Sequence, residues 1–468
     1  MTTKIYFIKS IPEEIKELAR VYDFKANYEE FLYDQASCSL YIGTNYVTNP
    51  INCSDFDKVL YYQLGQLTKK EYPSTTNQVT IDPNNLTEKE LSSFKLGLVD
   101  SQYSYNYTKG IIIKPLTILP ELNNREKALQ EGIYLTKELM DLDSYKLNPS
   151  NYDTILKEKF QNLPTWVTIK VVEQEVIEEL GMNMLLAVAR GSKHGCKIII
   201  VDITPKSQEY ETIAMVGKGL CFDTGGVNIK EGGSSYGMHD DMGGSATVFG
   251  LAKTLSLLDQ PENKRIVFVA GIVENVTDGK AYHPGEIVSN MVGQTAIVKN
   301  TDAEGRLTLA DTIPYTIINY KPKVIISLAT LTGHALLAFT QNSAPIFATK
   351  QALRDNLYQY FLQNEEEAVS MTLPRKAYDI GIKDLTGKAD MINTVGFPAF
   401  AGKGQAGSQA AAAFVMSSSQ PQLWNKNQED LALTTDAIHI DIAGTAVDSK
   451  GFGTGYAIRS LLDYCLNS

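Results

Sequence analysis

The chain has 468 residues, of which 43% are hydrophobic and 21% charged, a composition typical of globular proteins and not of disordered chains. The formal net charge of -11 is spread along the sequence, which argues against nonspecific nucleic-acid binding as the main task because a polyanion requires a basic face. The length suffices for two domains, or for one large domain with an appendage.

Cysteine usage and the N-terminal segment both favour the cytoplasm. The five cysteines contain no CxxC pair, so neither a disulfide framework nor a thiolate zinc site is predicted; they are Cys38, Cys53, Cys196, Cys221 and Cys465. The segment MTTKIYFIKSIPEEIKE lacks the apolar stretch and cleavage site of a secretory signal. No run approaches the roughly 18 apolar residues of a membrane span. We therefore expect a cytoplasmic protein without a membrane partner.

The first 122 residues predict a small α/β domain. Strand-like runs occur at KIYFI (4–8), SLYIG (39–43) and GIIIKP (110–115), and a helical pattern occurs at SDFDKVLYYQLGQL (54–67). The residues of this domain suggest no chemistry.

Residues 123–146 predict a helix that connects two domains. Within NREKALQEGIYLTKELMDL (124–142), apolar residues recur at near-helical spacing, and the turn-forming LNPSNY (147–152) follows.

Residues 147–468 predict a larger domain built from alternating strands and helices. A strand-length segment, IHIDIAG (438–444), lies near the end of the chain. Nearly continuous apolar runs of strand length are CKIIIVDI (196–203), TIAMVG (212–217), RIVFVAGI (265–272) and KVIISLA (323–329). Because these runs do not alternate with polar residues, both faces of their sheet should be buried under helices such as 243–259 and 455–466. The sequence thus predicts a two-domain α/β protein whose C-terminal domain is an α/β sandwich with a mixed, mostly buried central sheet.

The stretch VGKGLCFDTGGVNIK (216–230) carries more charge and glycine than packing requires. It places Lys218, Asp223 and Lys230 around a glycine pair, and it lacks the GxxxxGK[ST] spacing of a phosphate-binding loop. Taken alone, it is more simply interpreted as a glycine-rich turn after a strand, with solvated lysines.

Two further stretches have both a functional and a purely structural interpretation. MHDDMGGSA (238–246) places Asp240 and Asp241 at a helix start, where one acid could simply be an N-cap. His239 has no partner at HxxxH or HxH spacing, which disfavours a histidine zinc site. ENVTDGKAYHPGE (274–286) is either a pocket wall or an ordinary long loop.

The octet NTDAEGRL (300–307) packs two acids and a guanidinium into one short segment. Asp302, Glu304 and Arg306 follow TAIVK (295–299), which predicts a buried strand. The octet should therefore lie at the end of a strand, where α/β enzymes place their chemistry.

Asp223, Asp241, Asp302 and Glu304 all belong to this one domain. If they converge, they repel one another strongly unless positive charge lies between them. Two divalent cations would neutralise four carboxylates, and paired metals held by oxygen ligands are a recurring arrangement for hydrolysis. The nearby lysines could then ligate a metal as a neutral amine or face negative charge on a substrate.

In order and spacing, these motifs closely resemble those of the leucyl (cytosol) aminopeptidases, which use two zinc or manganese ions. NTDAEGRL is that family's signature octet, and all eight of its residues are present. The similarity covers most of residues 150–468 and is carried by VGKGLCFDTGGVNIK, MHDDMGG, ENVTDGKAYHPGE, NTDAEGRL, LATLTG (328–333) and HIDIAGT (439–445).

The resemblance implies five metal ligands. Lys218 and Asp241 would bind one metal, and Asp302 would bind the other through its side chain and backbone carbonyl. Asp223 and Glu304 would bridge both ions. The ions would polarise the scissile carbonyl and lower the pKa of a bridging water.

The resemblance also implies two catalytic residues and a side-chain pocket. Lys230 would hold the oxyanion of the tetrahedral intermediate, and Arg306 would orient a bound bicarbonate that acts as general base. The substrate-binding pocket would be lined by Met238, Thr330, Gly333 and Ala443, with Ala446 at its boundary. Small residues there suit Leu or Met.

The function implied is removal of the N-terminal residue, preferably Leu or another apolar residue, from peptide substrates. One metal would take the free α-amine of the substrate. By analogy with the family, the protein would be a cytoplasmic homohexamer of two trimers.

Several alternatives differ from this interpretation. A dipeptidase such as a Cys-Gly hydrolase would use the same site. A DNA-binding regulator with secondary peptidase activity is disfavoured by the acidic balance of the chain. An inactive structural member is disfavoured because every ligand and both catalytic cations are present. A phosphatase or nuclease could use the same carboxylates, but the lysine ligand and the octet favour a peptidase.

Overall fold

The computed structural model describes most of the chain, including every motif that carries the family resemblance. The described residues are 2–8, 11–27, 30–43, 61–71, 73–106, 110–114, 116–373, 377–394, 407–419 and 435–468. Cys53, Pro115 and residues 54–60 of the predicted helix 54–67 lie outside them. The chain divides into two compact units, Met1–Tyr134 and Leu135–Ser468.

The first unit contains seven described strands, five of which form one sheet. Its described strands are β1 (Thr2–Ile8), β2 (Phe31–Asp34), β3 (Ser39–Gly43), β4 (Gln78–Ile81), β5 (Tyr103–Asn106), β6 (Gly110–Ile113) and β7 (Thr117–Leu119). The five-stranded sheet has the order β2-β3-β1-β4-β7, and β5 and β6 form a separate antiparallel pair. Side chains such as Ile5, Leu40 and Val79 are fully buried in its core.

The helices of the first unit are α1 (Lys16–Val21), α2 (Tyr61–Thr68), α3 (Glu88–Asp100) and α4 (Asn124–Asp141), of which α4 continues into the second unit. Helix α3 begins at a capping box, because the Thr87 hydroxyl accepts from Glu90 N–H and the Glu90 carboxylate accepts from Thr87 N–H. The predicted boundaries at residues 122 and 146 stay predictions.

The second unit contains eleven described strands, eight of which form one mixed sheet. Its described strands are β8 (Val167–Val172), β9 (Lys197–Ile203), β10 (Glu211–Asp223), β11 (Lys264–Asn275), β12 (Ile287–Ser289), β13 (Thr295–Ile297), β14 (Val324–Ala329), β15 (Ala344–Ala348), β16 (Ala368–Ser370), β17 (Met391–Ile392) and β18 (Asp436–Asp441). The large sheet has the order β16-β15-β18-β14-β10-β11-β9-β8, and β12, β13 and β17 form a small sheet.

The helices that follow in the second unit are α5 (Tyr152–Lys159), α6 (Gln174–Glu179), α7 (Asn183–Ala189), α8 (Gly243–Ser256), α9 (Gly305–Tyr320), α10 (Gly333–Phe339), α11 (Gln351–Gln363), α12 (Gly407–Ser417) and α13 (Ile458–Asn467). Short helical turns occur at Glu13–Ile15, Met238–Asp240 and Ala377–Ile382.

Helices cover both faces of the large sheet. Ala214 and Val216 of β10 belong to the core formed with α7, α9 and α12. Because side chains alternate along a strand, the residues next to Ala214 and Val216 face the opposite side of the sheet. There Gly217 lies against Gly244 of α8. The strands are therefore almost entirely apolar, which confirms the predicted α/β class with a mixed, mostly buried sheet.

Four neighbouring strands, in the order β11-β10-β14-β18, run parallel. Their carboxyl ends consequently meet at one edge of the sheet, the usual position of a binding site in an open α/β fold. The residues that end these strands are Asn275, Asp223, Ala329 and Asp441.

The segment TAIVK differs from the simplest expectation. It forms β13 over Thr295–Ile297, but this strand belongs to the small sheet, and Thr295 and Ile297 are half-buried. The octet comprises the turn before α9 and the first three residues of that helix, and it does not end a strand of the large sheet. Within the described residues, no helix is both long enough and apolar enough to cross a membrane.

Candidate metal centre

Strand β10 contributes two charged side chains from an otherwise apolar run. Lys218 is 2% exposed and Asp223, at the end of the strand, is 1% exposed. Gly225 and Gly226 follow in the left-handed region, with φ of 85° and 65°, which glycine adopts without steric cost. These glycines let the chain turn back so that Lys230 approaches the same edge of the sheet, and its Nζ lies 2.7 Å from Asp223 Oδ2.

Asp241 lies in the turn that precedes α8 and contacts Lys218 directly. Lys218 Nζ donates to Asp241 Oδ1 at 2.7 Å and to Asp241 Oδ2 at 2.8 Å. The Thr330 hydroxyl donates to Asp241 Oδ1 at 2.8 Å, and the Thr330 carbonyl accepts from Lys218 Nζ at 2.9 Å. Asp241 is thus held by a charged donor and by a neutral donor from the turn after β14.

The octet brings Asp302 and Glu304 to the same place. Glu304 precedes the first residue of α9, and its Oε1 lies 3.1 Å from Lys218 Nζ. Asp302 Oδ1 lies 2.7 Å from Lys230 Nζ. The Thr301 hydroxyl fastens this turn to the loop after β10, because it donates to the Gly225 carbonyl at 2.6 Å.

Three of the predicted ligands have the arrangement of a cation site. One carboxylate oxygen from each of Asp223, Asp302 and Glu304 lies within 4.8 Å of the other two. Glu304 Oε2 is buried without a hydrogen-bond partner among the described residues. A buried carboxylate oxygen without a donor is costly, and oxygen ligands of this kind suit divalent cations. The residues present therefore fit the metal ions that the sequence predicts.

Burial and mutual charge determine how these carboxyl groups titrate. Burial and the Glu304 charge together raise the pKa of Asp223 to about 7, although Lys230 and Lys218 act in the opposite direction. Burial also raises the pKa of Glu304, but Lys218 and Lys230 outweigh it and hold that pKa below its ordinary value. Conversely, burial lowers the pKa of each lysine, but the surrounding carboxylates outweigh it and raise both values.

Arg306 lies in the first turn of α9 and is 8% exposed. Its Nε has no hydrogen-bond partner in the described part of the chain. Burial lowers the pKa of Arg306 to about 10, with opposing effects from Glu304, Asp441 and Asp302. The guanidinium therefore stays charged at neutral pH and retains an unused donor, which suits it to an anion.

The four pocket candidates lie in three separate segments that follow β10, β14 and β18. Met238 begins the turn Met238–Asp240 and is half-buried, while Thr330 and Gly333 follow β14, and Ala443 follows β18. Ala446, the boundary candidate, is only 3% exposed. Thr330 contacts the charged cluster directly through hydrogen bonds to Lys218 and Asp241.

Sequence reasoning missed two amides that hold the cluster. Asn275 Nδ2 donates to Asp223 Oδ1 at 2.8 Å and to the Thr301 carbonyl at 3.0 Å. Asn393 Oδ1 accepts from Lys299 N–H at 2.8 Å, just before the octet. Asn275 could have been identified from the sequence, because it is a polar residue that directly ends an apolar strand. No sequence feature distinguishes Asn393 in this way.

Comparison with known proteins identifies relatives for most of the chain. A profile described as "Cytosol aminopeptidase family, catalytic domain" matches residues 134–462. A probable cytosol aminopeptidase of Rickettsia rickettsii (strain Sheila Smith) is 35% identical over 343 residues, covering 72% of this chain and 64% of the relative. One from Methylobacterium radiotolerans is 36% identical over 341 residues, covering 72% and 62%. The chain therefore spans less than two thirds of the length of these curated relatives.

Solved structures show the same fold. The bottromycin maturation enzyme BotP in complex with Mn has a TM-score of 0.81 at 20% identity, over 99% of this chain and 98% of that chain. The cytosol aminopeptidase from Coxiella burnetii has a TM-score of 0.80 at 21% identity, over 99% and 97%. At these identities the similarity concerns the fold alone.

Proposed function

The chain belongs to the cytosol aminopeptidase family, and on that premise we propose that it is a metal-dependent aminopeptidase that hydrolyses the N-terminal residue from peptides. One observation carries the proposal: one carboxylate oxygen from each of Asp223, Asp302 and Glu304 lies within 4.8 Å of the other two, and Asp223 and Glu304 are buried. We infer that Lys218 and Asp241 complete the ligand set, because both groups lie in hydrogen-bond contact with each other beside Glu304.

The ligand set would hold two divalent cations, zinc or manganese. When bound, such ions supply Lewis acidity, which polarises a carbonyl and makes water a stronger nucleophile at neutral pH. That BotP was solved in complex with Mn supports manganese as one candidate. Carboxylates, however, bind several divalent metals, so the residues alone do not select between them.

Lys230 is proposed to face the substrate. Its side chain is 16% exposed, whereas that of Lys218 is 3% exposed, so Lys230 is the more accessible of the two ammonium groups. An ammonium fixed by Asp223 and Asp302 needs no reorganisation when negative charge develops on the scissile carbonyl oxygen, which is the condition for oxyanion stabilisation.

Arg306 is proposed to orient a bicarbonate ion that acts as general base. Its buried guanidinium and the unused Nε donor support an anion ligand at this position. If this is correct, added bicarbonate should stimulate the native enzyme and should not stimulate Arg306→Ala. Equal stimulation of both proteins would refute the role.

Met238, Thr330, Gly333 and Ala443 are proposed to receive the N-terminal side chain. All four follow strands whose carboxyl ends form the edge that carries the charged cluster, and small residues dominate the set. We therefore propose a preference for Leu and other apolar residues, which a panel of Xaa-amides would measure. From the family alone, we further propose that the protein is cytoplasmic and forms a homohexamer. Analytical ultracentrifugation would test the oligomeric state.

The central experiment removes and restores metal. Chelation should abolish cleavage of a leucine chromogenic amide, and Mn²⁺ or Zn²⁺ should restore it. Glu304→Ala should lose bound metal and activity together, whereas the control Glu262→Ala, whose side chain is 74% exposed, should lose neither. Full activity of the metal-depleted protein would overturn the proposal.

A further inference from the structure

Asp441 ends β18 directly beside the end of β14 and is 1% exposed. Its Oδ1 accepts three backbone N–H groups, from Leu331 at 3.1 Å, Thr332 at 3.4 Å and Ala443 at 3.3 Å. Its Oδ2 accepts from the Thr332 hydroxyl at 2.6 Å. One buried carboxylate thus binds the turn after β14 to the turn after β18.

The Thr332 hydroxyl extends this contact to two helices. A hydroxyl carries one proton, and Asp441 can only accept when ionised, so Thr332 donates to Asp441. Thr332 must therefore accept from the Ser408 hydroxyl, 2.7 Å away in α12, and from Ala335 N–H at 3.2 Å, which caps α10. The direction of each hydrogen bond in the chain follows from the charge on Asp441.

The same turn reaches the proposed metal ligands at its other end. Leu331, which donates to Asp441, is preceded by Thr330, which contacts both Lys218 and Asp241. Thr330 and Leu331 are adjacent in the chain, so a displacement of the Leu331 backbone also displaces Thr330. Asp441 therefore influences the position of a pocket residue that also touches the charged cluster.

We propose that Asp441 is a positioning residue that sets the shape of the side-chain pocket and thereby the choice of N-terminal residue. This inference rests on the proposed function. It is supported by where the pocket candidates stand: Thr330 and Gly333 flank the two residues that donate to Asp441, and Ala443 donates to it directly. A pocket assembled from separate loops keeps its shape only if those loops are fastened to each other.

Asp441→Asn tests the proposal with the smallest change. Asparagine keeps the volume and one acceptor oxygen, but it puts an NH₂ group where Oδ2 accepts the Thr332 proton. Thr332→Val provides a second route, because it removes the same hydrogen bond and leaves Asp441 intact. The matched control is Asp384→Asn: Asp384 also accepts three backbone N–H groups and a threonine hydroxyl, but all of them come from its own loop, residues 386–389.

We expect Asp441→Asn and Thr332→Val to change the ratio of kcat/KM for leucine amide and alanine amide by about tenfold, the scale at which pocket contacts discriminate neighbouring side chains. Bound metal should stay at the native level, and Asp384→Asn should keep the native ratio. A purely structural role would lower both rates together and leave the ratio unchanged. An unchanged ratio in both variants, or loss of metal in parallel with rate, overturns the proposal.

Hydrogen exchange supplies a readout that does not depend on catalysis. In Asp441→Asn, peptides that cover 329–334 and 441–446 should exchange faster than in the native protein, while Asp384→Asn should leave them unchanged. Unchanged exchange in Asp441→Asn also overturns the proposal. If the native protein cleaves no amide but the exchange result is as expected, the proposed function fails and the positioning role of Asp441 stands.

Discussion

Lys230 and Lys218 lie in the same cluster of carboxylates, but we expect the removal of Lys230 to lower the catalytic rate without loss of metal. Lys230 is the more exposed side chain and lies 2.7 Å from both Asp223 and Asp302. We predict that Lys230→Ala retains bound metal, because it removes a cation that competes for these carboxylates. The rate on a leucine chromogenic amide should fall by about 10²- to 10³-fold, the usual effect of losing one oxyanion donor.

Metal analysis and kinetics on the same sample check this prediction. Lys323→Ala is the control, since that lysine is 63% exposed and forms a surface ion pair with Glu211. Normal turnover by Lys230→Ala would show that the oxyanion role is wrong. Loss of metal together with rate would instead place Lys230 among the groups that build the site.

Metal binding should depend on pH because two of the proposed ligands bind protons tightly. Burial and the Glu304 charge raise the pKa of Asp223 to about 7, and nearby carboxylates raise that of Lys218 despite its burial. Both groups must lose a proton to ligate a cation. We therefore predict that the apparent affinity for Mn²⁺ rises between pH 6 and pH 8, by about tenfold per pH unit for each proton released.

Isothermal titration calorimetry in buffers of different ionisation enthalpy would count the protons released. The sign is fixed by the direction of the pKa shifts: protonated ligands predominate at low pH, so affinity falls as pH falls. An affinity for Mn²⁺ that is constant over this range would contradict the proposed ligation by Lys218 and Asp223.

Residues that end apolar strands could be predicted from sequence as site candidates, whereas their partners could not. Asp223 was recognisable because it interrupts an apolar run beside a glycine pair. The contact between Thr330 and Asp241 joins residues 89 positions apart, and the contact between Asp441 and Leu331 joins residues 110 positions apart. Such contacts depend on which strands are neighbours in the sheet, and no local pattern encodes that order.

At the level of elements, α8 comes into direct backbone contact with β10 and β14 at Gly244. A Cβ added to Gly244 would stand 2.1 Å from the Leu328 carbonyl oxygen and 2.6 Å from Lys218 N. A glycine in an exposed helix is normally about 0.5–1 kcal/mol worse than alanine. Here the sign should reverse: we predict that Gly244→Ala destabilises the protein by about 1–3 kcal/mol, because backbone atoms cannot move aside as a side chain can.

Urea unfolding of Gly244→Ala and Gly333→Ala would test the close approach of α8. Gly333 begins α10, and no described atom lies within 4 Å of a Cβ added there, so its substitution should be nearly neutral. A native or higher unfolding midpoint for Gly244→Ala would mean that α8 lies farther from the sheet than the structure places it.

Element type was predictable from apolar runs, but element length was not. The predicted strand 212–217 corresponds to β10, which spans Glu211–Asp223, and the predicted strand 265–272 corresponds to β11, which spans Lys264–Asn275. Both runs continue because the two strands keep pairing with each other through Lys218, Gly219 and Leu220, where the apolar pattern is interrupted. Backbone hydrogen bonds across the sheet therefore extend strands past the point at which composition predicts their end.

At the scale of the whole chain, the predicted class was confirmed while the arrangement of strands required the structure. The sheet order β16-β15-β18-β14-β10-β11-β9-β8 pairs the last strand of the chain with β14, and it leaves β13 in a separate small sheet. Consequently the octet reaches the candidate metal centre from outside the large sheet, and its convergence with Asp223 is a property of the folded unit.

Helix α4 provides a prediction about the extent of the functional unit. Its second half belongs to the second compact unit, where the Thr136 hydroxyl donates to the Ala246 carbonyl of α8 at 3.0 Å and Asp141 accepts from Gly453 N–H at 2.8 Å. A fragment of residues 123–468 keeps both contacts, whereas a fragment of residues 147–468 loses them and leaves the buried Gly453 N–H without its acceptor. We therefore predict that the longer fragment folds and binds Mn²⁺, while the shorter one melts at least several degrees lower and binds Mn²⁺ more weakly. Differential scanning calorimetry with and without Mn²⁺ makes the comparison, and equal melting temperatures would show that α4 only connects the two units.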